Sequence, residues 1–253
     1  MSDAFIFIVV ISVLGPVIGS FLGVMRKMEE RLVYNVLAFA AGMMLTISFF
    51  ELIPEGVEMS SPVIAALGVI CGAGLMYLLD KSIPHFHPDP VADDINCKIT
   101  TDRSVKKNDL GRTAKYLIMG IFFHNLPEGM AIAAMQDPST GVAVALAIAV
   151  HNVPEGICTS APYYHATKKR LKAFLISSST AIPVLLGFLI ARLLFASAPL
   201  ALIGFMASLA AGLMIYISVD ELIPTSCKRI STYSTVFSLI FGVVAVMLLE
   251  TLL

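Results

Sequence analysis

Long apolar runs, separated by short charged stretches, set the pattern of this chain. A bilayer core of about 30 Å takes about 20 apolar residues per helix. Eight segments reach that length, at 4–25, 32–53, 62–80, 113–135, 140–162, 172–195, 199–223 and 233–253. The pattern predicts an all-α, polytopic membrane protein with eight transmembrane helices forming a single domain over 1–253. The first apolar stretch follows Asp3 rather than a basic region and shows no convincing cleavage site, so it is expected to remain as the first span.

Basic residues orient these spans. By the positive-inside rule, Lys and Arg in short loops mark the cytosolic side. Sixteen of the 17 basic residues fall on one side. They lie after spans one, three, five and seven, and Arg192, near the far end of span six, is the exception. Both termini are therefore expected outside the cytosol. The 81–112 segment becomes a polar cytosolic loop containing His85 and His87, a His-x-His pair with the chemistry to capture a metal ion.

Composition agrees with the pattern and removes other classes. The chain is 57% hydrophobic and 14% charged, with a mean hydropathy of +0.86. A net charge of -1 and the lack of an aromatic-interleaved basic patch give no footprint for nucleic acid. Cys71, Cys97, Cys158 and Cys227 are scattered without a CxxC pair, so they read as packing residues rather than a disulfide framework or thiolate zinc site. Gly15, Gly19 and Gly23 form a small-xxx-small stripe suited to close helix approach.

Two internal repeats sharpen the architecture. AGMMLTISFFELIP at 41–54 and AGLMIYISVDELIP at 211–224 share nine of fourteen positions. Their spans cross the membrane in opposite directions, so spans one to three and six to eight form an inverted pair. Spans four and five carry HNLPEG at 124–129 and HNVPEG at 151–156. The expected arrangement is 3+2+3, with a substrate site where polar, proline-bearing helices meet near the midplane.

The doubled motif carries the chemistry. His and Glu four residues apart share one helical face, and Asn stands about 100° around from His. Pro127 and Pro154 each lack a backbone donor and oppose the carbonyls of Phe123 and Val150, predicting a kink in each helix. Ionisable groups at mid-bilayer cost about 2.5 kcal/mol or more each, which a bound divalent cation offsets. His124, Glu128, His151 and Glu155 supply two imidazoles and two carboxylates, a set suited to zinc, iron(II), manganese or cadmium. Asn125 and Asn152 add neutral oxygens, and Met44 stands mid-span in helix two as a candidate thioether ligand. Glu51 near the outer boundary, and Asp220 and Glu221 near the inner one, form a candidate entrance and exit.

Transport is the reading these residues favour. An intramembrane zinc metallohydrolase is the alternative, although such enzymes place Glu directly after the first His, where Asn stands here. A metal sensor that does not transport is a third reading. The metal enters as the transported substrate, no organic cofactor is called for, and the sequence leaves a homodimer open.

The eight-span layout, the long loop after span three and the doubled HNxPEG resemble the ZIP (Zrt-, Irt-like protein) family of metal transporters, in its short prokaryotic form. The resemblance implies uptake of zinc and related divalent metals across the cell membrane into the cytosol. It implies a first metal site of His124, Glu128, His151 and Glu155 with Met44 near it, and a second of Asn125 and Asn152 with the same glutamates bridging. Family members often place Glu before a Pro in span six. Here that dipeptide is Ile182-Pro183, which leaves the second site short of a carboxylate, with hydroxyls at Ser177 to Thr180 nearby.

Overall fold

Among the described residues the apolar runs fold into eight helices. They are α1 (Asp3–Met25), α2 (Glu30–Met59), α3 (Pro62–Ser82), α4 (Asp109–Ala134), α5 (Pro138–Thr167), α6 (170–194), α7 (Leu200–Cys227) and α8 (Thr232–Glu250). This is a computed structural model, and it describes residues 3–82, 109–134, 138–194, 199–227 and 230–250. The loop residues His85 and His87, with Cys97, lie outside the described residues. Among the described residues there is no strand.

Six helices, α1, α2, α3, α6, α7 and α8, are long and apolar enough to cross a membrane. The chain is a multi-pass membrane protein. The other two, α4 and α5, carry the HNxPEG segments.

Two helices run past their expected ends for a shared reason. α2 continues to Met59 and α7 to Cys227, through Pro54 and Pro224. A proline opposes the carbonyl four residues before it and donates no hydrogen bond. Both helices absorb this by widening to a π turn, at Ser48–Leu52 and at Ser218–Leu222. In each, the N–H five residues on closes the wide turn, Ile53 to the Ser48 carbonyl and Ile223 to the Ser218 carbonyl. The 41–54 and 211–224 repeat thus preserves a backbone device as well as residue identities.

Glycines set which helices touch. A Cβ on Gly15 would strike the Ala149 backbone and one on Gly19 the Val153 carbonyl, so the α1 stripe lies directly on α5. On the other side Gly187 meets the Leu126 carbonyl and Gly129 the Val184 carbonyl, which presses α6 onto α4. Gly42 meets Leu239 and Gly242 meets Phe39, joining α2 to α8; Gly212 meets Val69 and Gly72 meets Leu209, joining α7 to α3. Each contact has its counterpart when the first three helices are exchanged with the last three and α4 with α5.

These contacts sort the helices into two groups. α1, α4, α5 and α6 pack together, as do α2, α3, α7 and α8. Between the groups α4 meets α7, where Gly120 faces the ends of Ile217 and Met76. α5 meets α2, where the Cys158 thiol reaches the Val36 carbonyl at 3.5 Å. α3 and α8 turn large apolar residues outward, among them Leu67, Ile70, Leu78, Phe237, Phe241 and Leu248.

Candidate metal centre

α4 and α5 lie side by side and bring both HNxPEG segments to one place. His124, Asn125, Glu128, His151, Asn152 and Glu155 are all buried. The four-residue spacing does what helical geometry requires, placing His124 Nε2 2.9 Å from Glu128 Oε1 on the same face. Across the interface His151 Nε2 approaches that same oxygen at 2.9 Å, and Asn152 Nδ2 donates to Glu128 Oε2 at 3.0 Å. Glu155 stands further off, with Oε1 3.6 Å from His124 Nε2. Pro127 and Pro154 sit inside helices that remain continuous.

Unmatched polar atoms gather here, both ring nitrogens of His124 among them. Both carboxylate oxygens of Glu155 and the amide oxygens of Asn125 and Asn152 are buried without a hydrogen-bond donor. A buried acceptor left unmatched costs about 1–3 kcal/mol, and more when it is charged. A cation satisfies several such oxygens at once, and the imidazole nitrogens beside them favour a transition metal over magnesium or calcium. Among the described residues no three His, Cys, Asp or Glu side chains are yet set around a common point at metal-ligand spacing. Their present closeness is that of a hydrogen-bonded cluster.

Hydroxyls line the next turn. Ser20 of α1 donates to Ser177 of α6 at 2.8 Å, Ser177 meets Thr159 of α5, and Thr159 donates to the Glu155 carbonyl at 3.1 Å. The sequence had pointed to Ser177; Ser20 and Thr159 went unnoticed. Thr159 stands four residues after Glu155, so helical spacing was the available signal.

The remaining expectations divide. Met44 is buried in an apolar cluster that includes Met214 and Cys158. Ile182 is half exposed. Glu51 lies in the π turn of α2 within electrostatic reach of His151. Asp220 and Glu221 occupy the π turn of α7 and, with Asp80 at the end of α3, act on Tyr116. Asp80 was not anticipated, because a single acid at a span end gives no pattern. Of the cysteines, Cys158 and Cys227 are buried as expected, whereas Cys71 is exposed on α3.

Known proteins with this pattern agree with the geometry. A family model described as ZIP Zinc transporter matches residues 1–115 and again residues 91–250. The chain is 37% identical over 216 residues to proteins named Zinc transporter ZupT from Escherichia coli O127:H6 (strain E2348/69 / EPEC) and from Escherichia coli (strain K12 / DH10B). In both cases the match covers 82% of this chain and 80% of the relative. The metallohydrolase reading falls with this assignment, since the family is one of transporters. Buried His, Asn and Glu on paired helices, a helical membrane fold and this extended likeness lead to one conclusion: the chain belongs to the ZIP family of zinc transporters.

Proposed function

We propose that this protein carries divalent transition metal ions, zinc foremost and also iron(II), manganese and cadmium, across the cell membrane into the cytosol. The observation that supports this most directly is Glu155, an acid sealed from solvent with neither oxygen donated to, beside two histidines and two amide oxygens that also lack donors. His124, Glu128, His151 and Glu155 hold the ion, and Asn125 and Asn152 add oxygens. Glu128 exchanges its bonds to His151 and Asn152 for the metal as the ion arrives, so cluster and loaded site are alternative partners of one carboxylate. Both α4 and α5 cross the bilayer, the termini lie outside the cytosol, and the site sits near mid-membrane.

Movement follows from the two helix groups. Within each group, glycine contacts bring backbones together, so the groups move as units. One slides against the other along flexible side chains such as Ile217 and Met76, opening the site to either side in turn. Glu51 collects cations at the outer mouth, and Asp220 and Glu221 release them at the inner one.

The test is uptake of radioactive zinc into proteoliposomes. The intact protein accumulates zinc above protein-free vesicles, and the His124→Ala plus Glu155→Ala double variant falls to that background. Full transport by the double variant would sink the site assignment. Competition by iron(II), manganese, cadmium and cobalt ranks selectivity.

A further inference from the structure

α6 is broken where it passes the metal cluster. It runs as an α-helix over Arg170–Ser178, tightens to a 3₁₀ turn over Ser179–Ala181, and resumes as an α-helix over Ile182–Leu194. Pro183 stands just past the break. Its ring opposes the Ser179 carbonyl, and it has no N–H to continue the tightened turn, which would have been offered to the Thr180 carbonyl. The Ser179 carbonyl is recovered by the Ile182 N–H. The Thr180 carbonyl is taken up from outside the helix, by Asn125 Nδ2 of α4 at 2.7 Å.

That bond decides which way the amide of Asn125 faces. The nitrogen must point at a carbonyl, because only it can donate, and the amide oxygen then diverges from α6. This oxygen is buried and receives no hydrogen bond. The equivalent amide on α5 behaves differently. Asn152 donates to Glu128, within the cluster itself, at 3.0 Å. Its neighbour α1 is unbroken and meets α5 through Gly15 and Gly19. The two motifs are alike in sequence, yet only the copy beside the broken helix has its Asn anchored outside the cluster.

We propose that Pro183 is a positioning residue for Asn125: by breaking α6 it releases the Thr180 carbonyl, which clamps the Asn125 amide with its oxygen presented to the transported metal. In a chain with Ile182 beside this proline instead of a carboxylate, the α6 backbone contributes through Asn125 rather than through a side chain of its own. The inference rests on the transport reading of the site. It assigns Pro183 a role in binding the metal, distinct from merely bending a helix.

A double-mutant cycle in proteoliposomes tests it, using zinc uptake with KM and kcat measured separately. Asn125→Ala raises KM for zinc about 10-fold, the loss typical when a ligand or its support is removed. Pro183→Ala lets α6 close its own hydrogen bonds across Thr180 and raises KM by a comparable factor with kcat little changed. Alanine is a strong helix former, so this variant folds. In the Asn125→Ala background, Pro183→Ala adds nothing further. Additive effects in the double variant, a Pro183→Ala change confined to kcat, or an unaltered KM for Asn125→Ala would each overturn the proposal. The transport reading would survive these outcomes, because it falls only if the His124→Ala plus Glu155→Ala variant still transports.

Discussion

HNLPEG and HNVPEG differ at one residue, Leu126 against Val153, yet their glutamates live in opposite circumstances. Glu128 is bonded by His151 and Asn152 and touched by His124. Glu155 is equally buried and has no hydrogen-bond donor on either oxygen. One carboxylate binds the two helices together, and the other accepts no hydrogen bond. Sequence symmetry therefore does not carry over into symmetry of hydrogen bonding. The helices that flank the pair, α1 beside α5 and the broken α6 beside α4, break the equivalence.

Replacing the glutamates one at a time probes that contrast most strongly. Glu128→Ala strips three side chains of a buried partner and is expected to lower unfolding stability in detergent by about 3–5 kcal/mol. Glu155→Ala should cost far less. Equal losses for the two variants in denaturant titrations would show that the inequivalence is not real.

A milder substitution separates folding from binding. Glu155→Gln keeps the shape and removes a buried carboxylate that accepts no hydrogen bond, so the metal-free protein should gain about 1 kcal/mol. Zinc at 100 times Kd should stabilise the unaltered protein by about 2.7 kcal/mol, and this increment should vanish in Glu155→Gln. Thermal unfolding with chelator and with zinc reads both quantities, and an undiminished zinc shift in the variant would argue against Glu155 as a ligand.

The glycine contacts sharpen the comparison from the other direction, since there the two halves do match. Gly19 and Gly187 face backbone carbonyls on α5 and α4 in corresponding places. A Gly→Ala change at either forces the helices apart and should destabilise by about 1–3 kcal/mol. Similar costs are expected at the two positions, and a large effect at only one would contradict equivalent packing.

The smallest effect is expected at Ile182. Being half exposed, it should tolerate Ile182→Ala within about 0.5 kcal/mol, with zinc KM unaltered. A strong loss of zinc affinity there would place α6 side chains, and not only its backbone, at the metal.

Much of the fold was legible because membrane helices must satisfy their own backbones and show lipid an apolar face. All eight apolar segments became helices, and the glycine stripe of α1 became a contact. The ends of α2 and α7 were less legible. The expected ends fell at Ile53 and Ile223, just before Pro54 and Pro224, and local sequence does not say whether a proline ends a helix or widens it to a π turn. At the site, the i, i+4 spacing disclosed which His and Glu share a face. It could not disclose that His124 and His151 converge on the same oxygen of Glu128, a relation across two helices. Met44 illustrates the converse: a soft ligand type at mid-span, placed by the fold among apolar neighbours.

The sequence by itself determined the helical membrane class and which His, Asn and Glu side chains share a helical face in each HNxPEG segment, because periodicity and motif spacing act within one helix. Only the tertiary structure decided that Glu128 is engaged while Glu155 is not, and that Asn125 is held by the Thr180 carbonyl. Those outcomes depend on which helix lies against which and where its backbone is interrupted, and no single segment encodes that.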